Sequence, residues 1–335
     1  MTKLIIQIPC FNEEATLPST LAELPRHLIG VDEIEWLVID DGSTDRTVEV
    51  ARAHGVDHVV SLPCNQGLAA GFKAGLEACV RAGADIIVNT DADNQYHAGD
   101  IGKLIQPILE GRAEMVVGSR PIQDTAHFSA AKKLLQRLGS AFIRRVSKTD
   151  IPDAPSGFRA FSRAAAKRLN VFTEYTYTLE TIIQAGLKNM AITWVPVRTN
   201  GPTRPSRLIS SIPRYIQASL ATAARIFVTY RPLLFFTVLG SLVFLAGFAI
   251  GARFLYFWMN GDGDGHIQSL VLAGLLMGIG FQIGISGILA DLISVNRKLI
   301  EKVDWNVQNL QSQEQKPATT QQHSAPMPRR AARHG

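Results

Sequence analysis

Cysteine is scarce in this chain, with three residues in 335: Cys10, Cys64 and Cys79. Their separations of 54 and 15 residues leave no disulfide framework and no zinc-finger pattern, and the low count fits a reducing cytosolic compartment. Charged residues are 19% against 46% hydrophobic, and no Gly-X-Y period is present. A wholly disordered or collagen-like chain is therefore excluded. The opening MTKLIIQIPCFNEE has no signal-peptide layout, because its apolar run is short and acidic residues stand where a cleavage site would lie. No G-x-G-x-x-G or G-x-x-x-x-G-K-[ST] follows the first apolar segment, which argues against NAD chemistry or ATP hydrolysis. No zinc-finger, homeodomain-like or RNP-like motif accompanies the basic residues, so nucleic acid is not an expected partner. The length itself allows one large domain or two small ones.

What is present is distributed in blocks. Residues 1–119 carry 8 Lys and Arg against 18 Asp and Glu, a net −10. Residues 120–231 carry 18 against 5, a net +13. Acidic residues suit a divalent cation, and a basic block suits phosphates or an anionic membrane face.

Leu233–Ala252 and Leu270–Ala290 are uncharged runs of 20 and 21 residues, each long enough to span a bilayer. The link Trp258–Gln268 has no Lys or Arg, whereas Arg214, Arg225 and Arg231 precede the first run and Arg297, Lys298 and Lys302 follow the second. The positive-inside rule then puts both ends in the cytoplasm and the link outside. Residues 207–230 mix apolar positions with Arg207, Arg214 and Arg225 and read as an interfacial helix on the inner leaflet. The expected organisation is a cytosolic domain over 1–204, a basic loop and interfacial helix over 205–231, spans at 232–258 and 268–293 with a link at 259–267, and a cytosolic tail over 294–335 that is disordered after about residue 310.

In the first block, strand patterns at Lys3–Pro9, Glu35–Asp40, His58–Pro63, Ala84–Thr90 and Glu114–Gly118 alternate with helical stretches at Thr16–His27, Asp45–His54, Leu68–Ala82 and Asp100–Gly111. Gly55 and Gly83 fall where helix C-caps belong. The alternation predicts an α/β fold with a mostly parallel sheet and helices on both faces, and ligands in such folds bind beyond the carboxyl ends of the strands. Every such end is polar here: Asn12-Glu13-Glu14, Asp40-Asp41-Gly42-Ser43-Thr44-Asp45, Asn65-Gln66-Gly67, Asp91-Ala92-Asp93-Asn94-Gln95 and Gly118-Ser119-Arg120. Ser43 or Thr44 also suits a cap for the next helix, and Asp45 a first-turn acid. Asp91 and Asp93, alternating along an extended segment, would face the same way. Two such carboxylates can hold a hard divalent ion, with phosphate oxygens filling other positions.

IPCFNEE, VIDDGSTDRT, NTDADNQY, SGFRAF and TRPSRL, in that order and followed by two spans, resemble the family-2 glycosyltransferases of the GT-A nucleotide-diphospho-sugar transferase fold, in particular the polyprenyl-phosphate branch typified by dolichyl-phosphate mannose synthases and undecaprenyl-phosphate sugar transferases. The resemblance covers about residues 3–303. It implies transfer of a hexose, with inversion, from a UDP- or GDP-linked sugar to a polyprenyl phosphate at the inner membrane, with Mg²⁺ or Mn²⁺ as cofactor.

The resemblance also assigns residues. Pro9 and Glu13 match the first nucleotide loop. One of Asp40 and Asp41 would accept a hydrogen bond from the base, and Asn65 and Gly67 match the turn beside the nucleotide. Asp91 and Asp93 match the D-x-D metal site, Asp91 also facing the nucleotide, and Gln95 adds a metal or diphosphate contact. Arg120 matches a position near acceptor or diphosphate, and Asp153 the acidic residue on the acceptor side. Arg159 would reach phosphate, or else tie down a loop. Arg204 and Arg207 match a basic loop that folds over nucleotide and lipid phosphate, and Glu180 an acidic helix position facing the pocket. Rival readings are a processive polysaccharide synthase, disfavoured because no Q-x-x-R-W motif is present, a catalytically silent nucleotide-binding scaffold, and a transporter component. A homo-oligomer stays open.

Overall fold

The computed structural model describes residues 1–121, 144, 147, 149–171, 177–201, 225, 228–229, 231–261 and 267–314. Seven strands form one sheet: β1 Lys3–Cys10, β2 Glu33–Asp40, β3 His58–Ser61, β4 Ile86–Asn89, β5 Met115–Ser119, β6 Arg159–Ser162 and β7 Ile192–Pro196. The order is β3-β2-β1-β4-β6-β5-β7. All pairings are parallel except those of β6, which runs antiparallel to β4 and β5. The sheet is thus mostly parallel, as the alternation predicts, with an antiparallel insertion that it does not reveal. β1 and β2 read as near-continuous apolar runs because both faces are covered. Ile5, Leu37 and Ile39 join one core with Phe72, Leu76 and Cys79 of α3 (Leu68–Arg81). Leu4, Ile6, Ile8 and Val38 join the opposite core with α1 (Leu17–Glu23) and α4 (Ile101–Leu109).

The remaining helices of this domain are α2 (Thr47–Ala53), α5 (Arg163–Arg168) and α6 (Tyr177–Leu187). α1 stops well short of His27 because Leu24 precedes Pro25 and takes an extended ψ of 134°, the conformation that a following proline enforces. Gly55 and Gly83 have φ of 72° and 85°, as C-terminal helix stops require. From β1 the chain moves outward through β2 and β3, then returns to β4 on the other side. The reversal point between β1 and β4 is where such sheets open a crevice.

Two helices, α7 (Pro232–Met259) and α8 (Ile267–Glu314), are long and apolar enough to cross a membrane, the second through its Ile267–Arg297 part. α8 continues as one helix of 48 residues, about 72 Å at 1.5 Å per residue, and so runs through the stretch expected to become tail. The pair packs through small residues: a Cβ on Gly280 would lie 2.5 Å from the Phe244 nitrogen, and one on Gly247 2.8 Å from Leu276 Cβ. Ala273, Gly280, Gly287 and Ser294 recur every seven residues along α8, and Ser294 donates to the Thr229 carbonyl at 3.3 Å. Such a seam lets two apolar helices approach closely. Of the expected basic loop and interfacial helix over 205–231, only Arg225, Val228, Thr229 and Arg231 lie within the described residues.

Candidate active site

The loops after β1 and β2 lock together at the carboxyl rim. Asn12, at φ 53°, donates its N–H to Ser43 Oγ at 2.9 Å and accepts from Thr44 N–H at 2.8 Å. Glu13 N–H donates to Thr47 Oγ1 at 2.9 Å, Glu14 N–H to Asp45 Oδ2 at 3.1 Å, and Arg46 N–H to Glu14 Oε2 at 3.0 Å. Ser43 and Thr44 therefore tie two loops together instead of capping α2, and Asp45 accepts from Thr47 N–H at the helix start. Glu13 is buried, and its carboxylate accepts from Thr16 Oγ1. Pro9, in β1, pairs with Ile39 beside this rim.

Asp40 and Asp41 are both buried but do different work. Asp40 Oδ1 accepts from Ser43 N–H at 2.9 Å. Asp41 accepts from Gln66 N–H at 2.8 Å and Gly67 N–H at 2.9 Å, one with each oxygen. Asp41 thereby holds the Asn65-Gln66-Gly67 turn, and Asn65 itself is exposed. Between them, Gly42 sits at φ 70°, where a Cβ would lie 2.5 Å from the Cys64 carbonyl carbon and 2.7 Å from the Asn65 nitrogen. Gly42→Ala is expected to destabilise the domain by about 1–3 kcal/mol through strain and overpacking. Amide hydrogen exchange should rise selectively at Asn65–Leu68.

The chain turns immediately after β4. Ala92 and Asp93 lie in a turn, Asn94 has φ 54°, and Asp93 Oδ1 accepts from Gln95 N–H at 3.2 Å. The expectation of an extended Asp91–Asp93 segment is thus corrected: an Asx-type turn, not strand alternation, disposes the two carboxylates. Its far side is fastened by neighbours. Asn94 Nδ2 donates to Glu23 Oε1 at 2.8 Å, and Asn200 donates to the carbonyls of Gln95 at 2.9 Å and Asn94 at 3.0 Å. The fully buried Asp100 accepts from Arg198 N–H at 2.7 Å and Nη2 at 2.9 Å. Those contacts hold its carboxyl far below the usual range, against the opposing effect of burial. His97 Nδ1 accepts from Gly99 N–H.

Beneath the turn is a buried polar web. Gln7 Nε2 donates to Asn89 Oδ1 at 2.9 Å, and Asn89 Nδ2 donates to the Gly157 carbonyl at 2.9 Å and to Tyr177 Oη at 2.8 Å. Gly157 N–H donates to Tyr96 Oη at 3.0 Å. A Cβ on Gly157 would lie 3.0 and 3.2 Å from the two Asp91 oxygens, so this backbone forms a wall against Asp91. Burial, reinforced by the Asp91 charge, pushes the Tyr177 phenol well up, and Tyr96 shifts the same way for the same first cause.

Arg120 grips Asp153 with Nε–Oδ2 at 2.7 Å and Nη2–Oδ1 at 3.0 Å, and its N–H also donates to Oδ2 at 3.2 Å. Asp153 is fully buried, whereas the Arg120 side chain keeps 24% of its surface. Burial works against the Arg120 charge, yet Tyr96, Asp153 and Asp91 hold its pKa above the ordinary arginine value.

Arg159 departs from the expected phosphate contact. It is wholly buried, and its guanidinium donates to the carbonyls of Ser156, Thr178 and Ala154 at 2.7 Å each and to Thr181 Oγ1 at 2.5 Å. The loop-tying alternative describes this geometry. Glu180 is buried on α6 and accepts from Gln184 Nε2 at 3.2 Å. Arg204 and Arg207 lie outside the described residues.

The structure therefore brings Asp91, Arg120, Asp153, Tyr96 and Tyr177 into one electrostatic neighbourhood. The sequence reading missed Gln7, Asn89, Tyr96, Tyr177, Asp100 and Arg198. Two of these were signalled, since Gln7 and Asn89 interrupt apolar strands.

Residues 5–169 match Glycosyl transferase family 2. The UDP-N-acetylglucosamine–dolichyl-phosphate N-acetylglucosaminyltransferase of Methanococcus voltae is 31% identical over 214 residues, 57% of this chain and 83% of that one. The chain belongs to glycosyl transferase family 2. The undecaprenyl-phosphate mannosyltransferase of Micrococcus luteus is 29% identical over 160 residues, 46% of this chain and 64% of that one. A glucosyl-3-phosphoglycerate synthase from Mycobacterium tuberculosis, crystallised with Mn²⁺, UDP and glucosyl-3-phosphoglycerate, superposes with a TM-score of 0.52 at 22% identity, over 66% of this chain and 80% of that one. That likeness establishes the GT-A-like fold, and the family makes the chain a glycosyltransferase.

For a divalent ion, this glycosyltransferase offers the Asp91 and Asp93 carboxylates, with the Gln95 amide two residues on. Oxygen donors suit a hard cation. Among the described residues no cluster of three or more His, Cys, Asp or Glu is assembled for a metal. The protein's own donors fit a partial shell, one that a substrate's phosphate oxygens would complete.

Proposed function

We propose that this glycosyltransferase moves a hexose from a nucleotide sugar to a polyprenyl phosphate at the cytosolic face of a membrane, with inversion. One observation carries the reading: a half-buried Arg120 is forked onto Asp153, and the loop that follows Asp153 packs its Gly157 backbone against Asp91 of the acidic turn, in a chain that continues into two helices long enough to span a bilayer. The acids suit a metal–diphosphate donor, the guanidinium suits a second phosphate, and the helices suit an acceptor confined to lipid. Relatives named for dolichyl-phosphate and undecaprenyl-phosphate acceptors support the same acceptor class.

Asp91, Asp93 and Gln95 would hold the Mg²⁺ or Mn²⁺, which would supply charge neutralisation at the leaving diphosphate. The rim loops hold the nucleotide: Asp41 shapes the 65–67 turn, while Asp40 and Glu13 line the pocket for base and ribose. Arg120 offsets repulsion between two anions in a partly dehydrated site. The acceptor phosphate is already anionic at pH 7, so its attack on the anomeric carbon needs no general base, and direct displacement inverts the configuration. Arg204 and Arg207 follow β7 and belong to the same phosphate-binding proposal. Lys and Arg flanking the spans support a cytoplasmic catalytic domain and cytoplasmic termini.

The test is to incubate purified protein with Mn²⁺ or Mg²⁺, a polyprenyl phosphate and a panel of UDP- and GDP-sugars, and to weigh the lipid product. One donor should yield a polyprenyl-phosphate hexose. Transfer only to a water-soluble phosphate acceptor, or no lipid product with any donor, refutes the acceptor assignment.

A further inference from the structure

We propose that Asp153 is a positioning residue acting through Arg120, and that the Nη1 edge of Arg120 makes a contact to a substrate phosphate. The proposal rests on the sugar-transfer reading above and deepens it by assigning separate jobs to two residues that a sequence motif treats alike.

The geometry makes the division. Asp153 is fully buried, and both its oxygens receive Arg120 donors, three bonds in all. A carboxylate engaged in this fork is poorly placed to take a proton from an incoming acceptor, because geometry must put a base within reach of the proton it abstracts. The same fork fixes the guanidinium plane. Nε and Nη2 are spent on Asp153, while among the described residues Nη1 takes no hydrogen bond. The side chain also keeps 24% of its surface. The exposed edge is therefore held in orientation by a buried anion behind it. Gly157, four residues after Asp153, stands against the Asp91 carboxylate, so the loop that carries Asp153 also borders the acidic turn, and the Asp91 charge acts on the same guanidinium. Tyr96 also receives Gly157 N–H at 3.0 Å and lies against Phe158 with ring centroids 5.0 Å apart. Arg120, Asp153 and Tyr96 thus form one pre-set unit, of the kind that stabilises charge without reorganising during reaction.

A double-mutant cycle separates positioning from chemistry. Four proteins are compared: wild type, R120A, D153N and R120A/D153N. Readouts are kcat and KM in sugar transfer, and binding of two probes, UDP with Mn²⁺ and a short-chain prenyl phosphate. R120A should weaken at least one probe about tenfold or more, and the probe affected identifies donor diphosphate or acceptor phosphate as the partner. D153N should raise KM for that same partner more than it lowers kcat. In the R120A background D153N should cost less than about twofold.

A further loss of tenfold or more in kcat on adding D153N to R120A overturns the proposal, because Asp153 would then act independently of Arg120. Unchanged affinity of R120A for both probes overturns the anion contact. Because a lone buried charge can unfold the single variants, R120M/D153L, which leaves neither charge unpaired, is melted alongside them. It should melt near wild type, and an unfolded R120M/D153L would overturn the proposal by making the pair a stability element. A wild type that binds both probes but makes no lipid product defeats the acceptor reading while leaving the binding cycle decisive.

Discussion

Asp91→Asn is expected to cut sugar transfer by about 10²–10³-fold, the usual consequence of removing one preorganised electrostatic stabiliser of a developing charge. The substitution keeps the size of the side chain, which matters because the Gly157 backbone stands directly against it. The Asn89–Gly157–Tyr177 web should survive, since its hydrogen bonds run through Asn89 and not through the Asp91 side chain. What changes is charge. One of the two carboxylates proposed to hold a divalent ion is lost, so the Mn²⁺ concentration for half-maximal rate should rise steeply, while the melting temperature without metal stays close to wild type. Removing divalent ions from the wild type with a chelator should abolish transfer, and adding Mn²⁺ back should restore it. Full turnover by Asp91→Asn, with an unaltered metal requirement, would remove Asp91 from the metal site.

The sheet was legible because burial on both faces writes continuous apolar runs, as in KLIIQIP and EWLVID, and the rim was legible because each run ends in polar residues. The antiparallel strand β6 was not, since four residues headed by Arg159 carry no periodicity. Spacing could not give the shape of the D-x-D turn, which depends on Asn94 adopting a positive φ, and an i, i+2 pattern reads equally as strand. The web under Asp91 left a trace in Gln7 and Asn89. Their partners at Gly157 and Tyr177 are 68 and 88 residues from Asn89, so only the fold joins them. Arg120 and Asp153 were both identified as site residues, but their mutual grip, 33 residues apart, has no sequence signature.

Arg159→Ala should destabilise the catalytic domain by about 3–5 kcal/mol, the range for breaking a buried charged network on one side. Burial pushes its pKa down to about 10, so the guanidinium is still protonated at neutral pH. It satisfies the carbonyls of Ala154, Ser156 and Thr178 and the Thr181 hydroxyl in a position with no solvent contact. Deleting it orphans those acceptors, two of which flank residues that matter: Ala154 follows Asp153, and Ser156 precedes the Gly157 wall against Asp91. Arg159→Lys should not rescue stability, because a compact ammonium cannot reproduce a planar fork reaching acceptors on two elements. Chemical denaturation measures the loss, and KM for donor and acceptor in the surviving folded fraction checks its cause. A phosphate-binding arginine behaves in the opposite way, with stability kept and KM raised, the lysine variant recovering part of the affinity. The two patterns decide whether this arginine touches a substrate or, as its four internal bonds require, builds the loop on which Asp153 and Gly157 are carried.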